Sequence, residues 1–316
     1  MSRPLVVLGV SRSGTTLLRV ILDRSPGIAI PDESFFLPLL ARRHGRTVFA
    51  ERFLDDVARV PTIRAWGLQP ADIEPRIHTG MTVGAAIAAI FEAYAERVGK
   101  PRWGDKTPMY MRHLGLLESL FPNAQYVHLI RDGRDVALSF LEMPEGTFTR
   151  TWAHPATPAQ FACLWGKEVS DARALGRRLG SARYLEIRYE ELVTDPDEVL
   201  VGICDFAEVP FETDMLAYAG AVDVSEKPHQ QRLLRPPTAG VRSWRDDMSS
   251  EDVVAFEHVA GDVLRELGYD VTSSRSSARA AATRLAYDVR LASWNASTSL
   301  LQRSPLWRRR HPRLSA

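Results

Sequence analysis

Cysteine is nearly absent from this sequence: there are two, Cys163 and Cys204, in 316 residues. Both lie among apolar, helix-patterned neighbours, which reads as buried free thiols in a reducing compartment. A disulfide between them is the alternative, and the pattern gives it no support. No run of 18 uncharged apolar residues occurs, which excludes a membrane-spanning helix. The first strand-like run begins at Leu5 and leaves no room for a signal peptide ahead of it, so the expected location is the cytoplasm. Internal repeats are missing, and no low-complexity segment precedes Ser273. Net charge is also small, at +1, but it is unevenly spread. From Thr272 onward nine arginines face one acid, Asp288, which puts +8 on the tail and −7 on the rest. A mildly acidic body excludes a nucleic-acid-coating surface on the fold itself.

What is present is a 45% apolar chain long enough for one large domain. Short apolar runs predict strands at Leu5–Val10, Arg102–Gly104, Gln125–Ile130 and Arg183–Ile187. Amphipathic runs between and after them predict helices at Thr15–Asp23, Met109–Phe121, Arg134–Leu141 and Pro196–Ala207. Further helices are expected at Val83–Val98, at Ala159–Leu179, and from a capped, acid-rich start at Ser249 to Gly268. Strands separated by helices imply an α/β fold: a P-loop-type parallel β-sheet flanked by helices. Residues 45–101 break the strand rhythm and read as a helical cap insertion. The expected organisation is a catalytic body over 1–271 and a basic, helical tail over 272–316.

One further absence is chemical. "GVSRSGTT", Gly9 to Thr16, nearly spells the phosphate-loop pattern G-x-x-x-x-G-K-[ST], but Thr15 stands in the lysine slot and Arg12 stands inside the turn. A strand, a glycine turn and a helix start surround an anion with backbone N–H groups, and Ser13, Thr15 and Thr16 add hydroxyls. Without the lysine, the loop suits a single 5′-phosphate bearing a substituent better than a triphosphate. An ordinary strand–turn–helix connection is the bland alternative.

Three more stretches carry candidate chemistry. In "YVHLIRDGRDVALSF" a strand delivers Arg131 to its carboxyl end, and Ser139 follows about two helical turns on; together they suit a second phosphate. Asp132 alternatively reads as a magnesium carboxylate, and Arg134–Asp135 as surface charge. In "RWGDKTPMYM" Lys106 ends a short strand and Pro108 suits the next helix start, with a solvated surface lysine as the alternative. In "IPDESFF" a partly buried Glu33 or Asp32 suits proton acceptance from a hydroxyl. A helix cap formed by Asp32 or Ser34 is the competing reading.

These stretches, with "RYEELVTDP" and "SWRDDMS…LRELGYD", run in order over residues 5–270. The set resembles the PAPS-dependent sulfotransferases, closest to the branch holding bacterial enzymes and protein-tyrosine sulfotransferases. The resemblance implies that Arg12, Ser13, Gly14, Thr15 and Thr16 hold the 5′-phosphosulfate of 3′-phosphoadenosine 5′-phosphosulfate (PAPS). It implies that Arg131 and Ser139 hold the 3′-phosphate, that Tyr189 lies near the nucleotide, and that Lys106 steadies the sulfuryl group. Glu33 matches the catalytic base of the tyrosine-sulfating branch. The cytosolic branch instead places a histidine just after the lysine; Pro108 and Met109 stand there, leaving His113 in reserve. For a further 3′-phosphate contact, "RPPTAGVRSWR" offers Arg235, Arg242 and Arg245, of which Arg242 is preferred.

The implied reaction moves a sulfuryl group from PAPS to a hydroxyl, leaves 3′-phosphoadenosine 5′-phosphate (PAP), and needs no metal. The competing readings are an ATP- and magnesium-dependent P-loop kinase and a non-catalytic nucleotide-binding protein on the same fold. The acceptor is expected to be a small metabolite, sugar, glycolipid or natural product rather than a peptidyl tyrosine, whose route would need a secretory signal. Residues 45–101 with Trp66, Phe148, Trp152 and His154 are candidate walls for it. In the tail, Arg284–Leu301 reads as an amphipathic helix with Leu285, Val289, Leu291, Trp294 and Leu300 as apolar members, followed by "PLWRRRHPRL". Such a tail suits docking on the acidic body, packing in a homodimer, or contact with an anionic membrane surface.

Overall fold

The computed structural model describes residues 3–143, 154–218, 243–272 and 278–301. The chain divides into two compact units, one made of 1–131 and 172–239 and the other of 132–171 and 240–316.

The first unit is built on a parallel sheet of four strands in the order β2-β1-β3-β4: β1 Leu5–Leu8, β2 Gly104–Asp105, β3 Gln125–Ile130 and β4 Tyr184–Arg188. Every residue of β1 and β3 is buried, as β-branched and apolar runs covered on both faces must be. From β1 the chain crosses to β2 on one side and then returns past β1 to β3 on the other. The crevice at the carboxyl ends of β1 and β3 is therefore a topological switch point, where open α/β sheets place ligands.

Helix α1 (Thr15–Asp23) packs one sheet face, where Leu18, Ile21, Val127, Leu129, Leu200 and Ile203 share a core. Between α1 and β2 the chain carries the helices α2 (Leu37–His44), α3 (Ala50–Ala58), α4 (Pro61–Ala65), α5 (Pro70–Ile73) and α6 (Val83–Arg97), with isolated bridges between Ala29 and Trp103 and between Thr47 and Thr82. Trp66 belongs to the interior here. It packs against Phe36, Phe91 and Tyr94, with ring centroids 5.4–5.6 Å away. Phe91 in turn stacks on Trp103 at 4.5 Å.

The helix expected over Met109–Phe121 is broken. A 3-10 turn over Pro108–Arg112 precedes α7 (Leu114–Leu120), and His113 between them is non-helical at φ −128° and ψ 28°. The reason is local: the buried Tyr110 hydroxyl bonds Ser34 Oγ at 2.8 Å and accepts from Leu37 N at 3.2 Å, which fixes the turn to the chain ahead of α2.

The second unit contains α8 (Gly133–Leu141) and the start of α9 (Pro158–Leu179), whose end belongs to the first unit. The first unit closes with α10 (Tyr189–Thr194) and α11 (Pro196–Ala207); the second closes with α12 (Trp244–Asp247), α13 (Ser250–Glu266) and α14 (Ala278–Leu301). Arg134, expected on the surface, is buried. Its guanidinium pairs with Asp132 at 2.7 Å and Glu257 at 2.6 Å and lies 3.6 Å from the Trp244 ring centroid. Helix α14 starts earlier than Arg284 and presents a different face from the expected one. Among its described side chains Tyr287 is buried, whereas Leu285 and Val289 are exposed; the Leu300 side chain falls outside the described ones. Arg284 bonds Val259 O, and Arg290 bonds His154 O and Gln160 Oε1. Both cysteines are buried free thiols, pushed up to about 11 by burial. No helix among the described residues is long and apolar enough to cross a membrane.

Candidate active site

Beyond β1 the chain must turn sharply, and the sequence supplies glycine where nothing else fits. A Cβ on Gly9 would meet Leu129 O at 2.8 Å and Thr15 Cγ2 at 2.5 Å. Ser13 N closes the turn onto Val10 O at 3.0 Å. Arg12, inside the turn, sits at φ 77°, a left-handed conformation that costs a non-glycine residue about 1–3 kcal/mol. Gly14 is the N-cap of α1 at φ 99°, and no side chain caps the helix. Amide groups at the positive end of α1 are thus left for an anion, framed by the buried Ser13 and Thr15.

Of the expected nucleotide residues, one meets this loop directly and a second packs on the first. Tyr189, the first residue of α10, lies so near Gly14 that a Cβ there would fall 2.4 Å from its ring. The other side of the relationship is Arg131, whose guanidinium lies 4.4 Å from the Tyr189 ring centroid. Gly14, Tyr189 and Arg131 therefore form one continuous stack from the ends of β1, β4 and β3.

Lys106 arrives from β2. It is no surface lysine: it is 2% exposed, and its ammonium donates to Glu33 Oε1 at 2.5 Å and Thr16 Oγ1 at 3.1 Å. Burial pushes the Lys106 pKa down, and the Glu33 carboxylate partly offsets that. Asp32 stays out of the pair; it is held by Arg19 at 3.1 Å, and Arg19 also donates to Ile30 O. Neither Asp32 nor Ser34 caps α2, whose N-cap is Phe36. Asp132 is the N-cap of α8, and its carboxylate is committed to Arg134.

Behind Glu33 and Lys106 lies a buried network that sequence reading missed. Ser34 N donates to Thr107 Oγ1 at 3.0 Å, Thr107 Oγ1 donates to Asp105 Oδ1 at 3.2 Å, and Thr62 Oγ1 donates to Ser34 O at 2.9 Å. Desolvation raises the Asp105 carboxyl to about 7 and the Tyr110 hydroxyl well above its usual value. The alternation of small hydroxyl residues with charged ones in "DES" and "DKT" was the available signal.

The remaining candidates lie elsewhere in the sequence, some of them outside the described residues. His113, its pKa lowered chiefly by burial, caps α7 and makes no side-chain bond to Glu33 or Lys106. Ser139 lies on α8 of the second unit. Arg245 pairs with Asp270 at 2.8 Å and stacks over Trp244, while Arg235, Arg242, Phe148 and Trp152 fall outside the described residues.

A family model described as the sulfotransferase family matches residues 4–213. Protein-tyrosine sulfotransferase A of Caenorhabditis elegans is 27% identical over 273 residues, spanning 83% of this chain and 66% of its own length. Nodulation protein NoeE of Sinorhizobium fredii is 27% identical over 305 residues, spanning 84% of this chain and 65% of its own. The sulfotransferase domain of the Synechococcus PCC 7002 olefin synthase superposes with a TM-score of 0.59 at 26% identity, covering 86% of this chain and 98% of that domain. The corresponding domain of the curacin biosynthetic pathway shares the fold, with a TM-score of 0.56 at 22% identity. Against curated relatives the chain spans only part of their length, 49% for the Drosophila melanogaster protein-tyrosine sulfotransferase. The chain belongs to the sulfotransferase family.

Proposed function

We propose that the chain transfers a sulfuryl group from PAPS to a hydroxyl of a small acceptor, releasing PAP. The observation that carries this reading is the placement of Lys106 Nζ between Glu33 Oε1 and Thr16 Oγ1, which gathers a carboxylate, an ammonium and the anion loop at one point. The residues fit the donor. The uncapped α1 terminus and Arg12 suit its 5′-phosphosulfate, and the Tyr189–Arg131 stack suits the flat and anionic parts of a nucleotide. When bound, PAPS supplies an electrophilic sulfur and a phosphate leaving group: a new S–O bond forms to the acceptor oxygen, and the S–O bond to phosphate breaks.

The chain's own residues supply the rest. Glu33 accepts the hydroxyl proton, and the loop amides, Arg12 and Lys106 stabilise negative charge where it grows. Arg131 contributes binding energy remote from the reacting atoms. Glu33 is preferred to His113 as base because it is Glu33 that pairs with Lys106.

The test is transfer of labelled sulfur from PAPS to a panel of sugars, phenols, lipids and a tyrosine peptide. Transfer to any acceptor, together with a heat-shift from PAP but not ADP, supports the reading. Turnover that requires ATP and magnesium would replace it with a kinase. A second acceptor class is favoured by one finding: several curated relatives are named for protein tyrosine. The peptide arm of the panel decides between the two.

A further inference from the structure

Phe35 is the oddest residue beside the proposed base. It stands in the left-handed region at φ 58°, where glycine or asparagine would rest more easily, and it is 47% exposed. A bulky side chain half in water contributes little to folding, so the strain has no structural return at this position.

Its surroundings impose that conformation. Ser34, before it, is fully buried and held by Thr107, Tyr110 and Thr62. Phe36, after it, is locked among Trp66 and Phe91. Phe35 is thus pinned outward between two fixed neighbours, two residues beyond Glu33. The hydrogen bond from Ser34 N to Thr107 Oγ1 also brings the "DKTPM" strand end alongside, where Met109 is 40% exposed. Each exposed side chain lies one or two residue steps, about 4–7 Å of chain, from that bond. An exposed apolar side chain therefore follows each proposed reacting group, Phe35 two residues after Glu33 and Met109 three residues after Lys106.

We propose that Phe35, with Met109 beside it, is the acceptor shelf: it seats a flat apolar body and presents that body's single hydroxyl to Glu33. This deepens the proposed transfer reaction and rests on it. The hydroxyls nearest the shelf argue for a single-hydroxyl aryl acceptor over a polyhydroxylated sugar. Ser34, Thr107 and Tyr110 are buried and bonded to one another or to Asp105, so they are not offered to a ring of sugar hydroxyls. Aromatic and thioether surfaces favour a flat apolar partner.

The test uses the full chain saturated with PAP, with 2-naphthol as probe and methyl β-glucoside as polar comparison. Naphthol fluorescence should report saturable binding to the wild type. Phe35→Asn should weaken that binding about tenfold, and Met109→Ser about threefold. Asn tolerates the left-handed backbone, so the Phe35→Asn melting temperature and PAP heat-shift should match or exceed wild type. With PAPS, kcat/KM for naphthol should fall in parallel, and any value for the glucoside should stay unchanged. The shelf is overturned if the wild type shows no saturable naphthol binding, if both variants bind it as the wild type does, or if Phe35→Asn loses naphthol and PAP binding together. Naphthol binding without sulfur transfer to any acceptor would sink the transferase reading while leaving the shelf in place.

Discussion

Lys106 Nζ lies 2.5 Å from Glu33 Oε1 in a position where the lysine is 2% exposed. The two proposed reacting groups are therefore partners in the resting protein. A buried ammonium is tolerable because the carboxylate faces it; a carboxylate two residues from an exposed phenylalanine is held in place because the ammonium grips it.

Glu33→Gln keeps the shape and removes the charge. Sulfuryl transfer should fall by about 10²–10⁴ if Glu33 is the base, while the heat-shift given by PAP persists. A second readout is thermodynamic. Burial already lowers the Lys106 pKa, so between that value and 10.5 the unfolded chain binds more protons and stability rises with pH. Glu33 raises the Lys106 pKa, so Glu33→Gln extends this window downward. Melting temperatures from neutral pH upward should climb more steeply in the variant. Unchanged transfer would remove Glu33 as base.

Asp105 gives a pH signature of opposite sign. Its carboxyl is raised from 3.8 to about 7 by burial, so the folded protein holds its proton where the unfolded chain has lost it. The stabilisation is fully present below 3.8 and is lost as pH rises through about 7. Integrated over that interval it amounts to roughly 4 kcal/mol. Asp105→Asn mimics the neutral acid at every pH. Its melting temperature should lack the wild-type decline between pH 4 and 7, and above pH 7 it should exceed wild type. A wild-type profile flat through this range would contradict the raised carboxyl.

The sequence made the sheet and the loop legible because each depends on local rules. Buried β-branched runs fixed Leu5–Leu8 and Gln125–Ile130, and the glycines at 9 and 14 announced the turn. Lys106 was identified by its motif, but its burial was not readable, since that comes from Glu33 and Thr16, which are 73 and 90 residues away. The Ser34–Thr107–Tyr110 network and the burial of Arg134 were hidden for the same reason. Each is a tertiary contact among residues whose types are ordinary on a surface. In the tail, apolar residues marked a helix, yet periodicity did not say that Tyr287 would face inward and Leu285 outward.

In the second unit, Arg134 tests whether a buried charge cluster is structural. It joins Asp132 and Glu257, and Glu257 Oε2 also accepts from Thr272 N and Oγ1 at 2.9 Å. Glu257→Gln strips one charge and leaves the guanidinium short of a partner, which should cost about 3–5 kcal/mol in urea unfolding. Replacing Arg134 and Glu257 together with Met and Leu should cost less than the single change. A single variant as stable as wild type would show that the cluster contributes little.

Two glycines separate backbone strain from site geometry. Gly14 and Gly80 both sit at positive φ, 99° and 93°, so alanine at either pays the left-handed penalty of about 1–2 kcal/mol. They differ in what the new methyl would meet. Around Gly80 nothing lies within 4 Å, whereas at Gly14 the Tyr189 ring lies 2.4 Å away. Tyr189 would have to move off the loop, and with it the ring that Arg131 covers at 4.4 Å. Gly80→Ala should therefore lose stability alone and keep the full PAP heat-shift. Gly14→Ala should lose at least as much stability and also most of the heat-shift, because the amides of α1 and the Tyr189–Arg131 stack are disturbed together. If both variants kept PAP binding, the stack would not belong to the nucleotide site, and the loop would have to hold its anion without it.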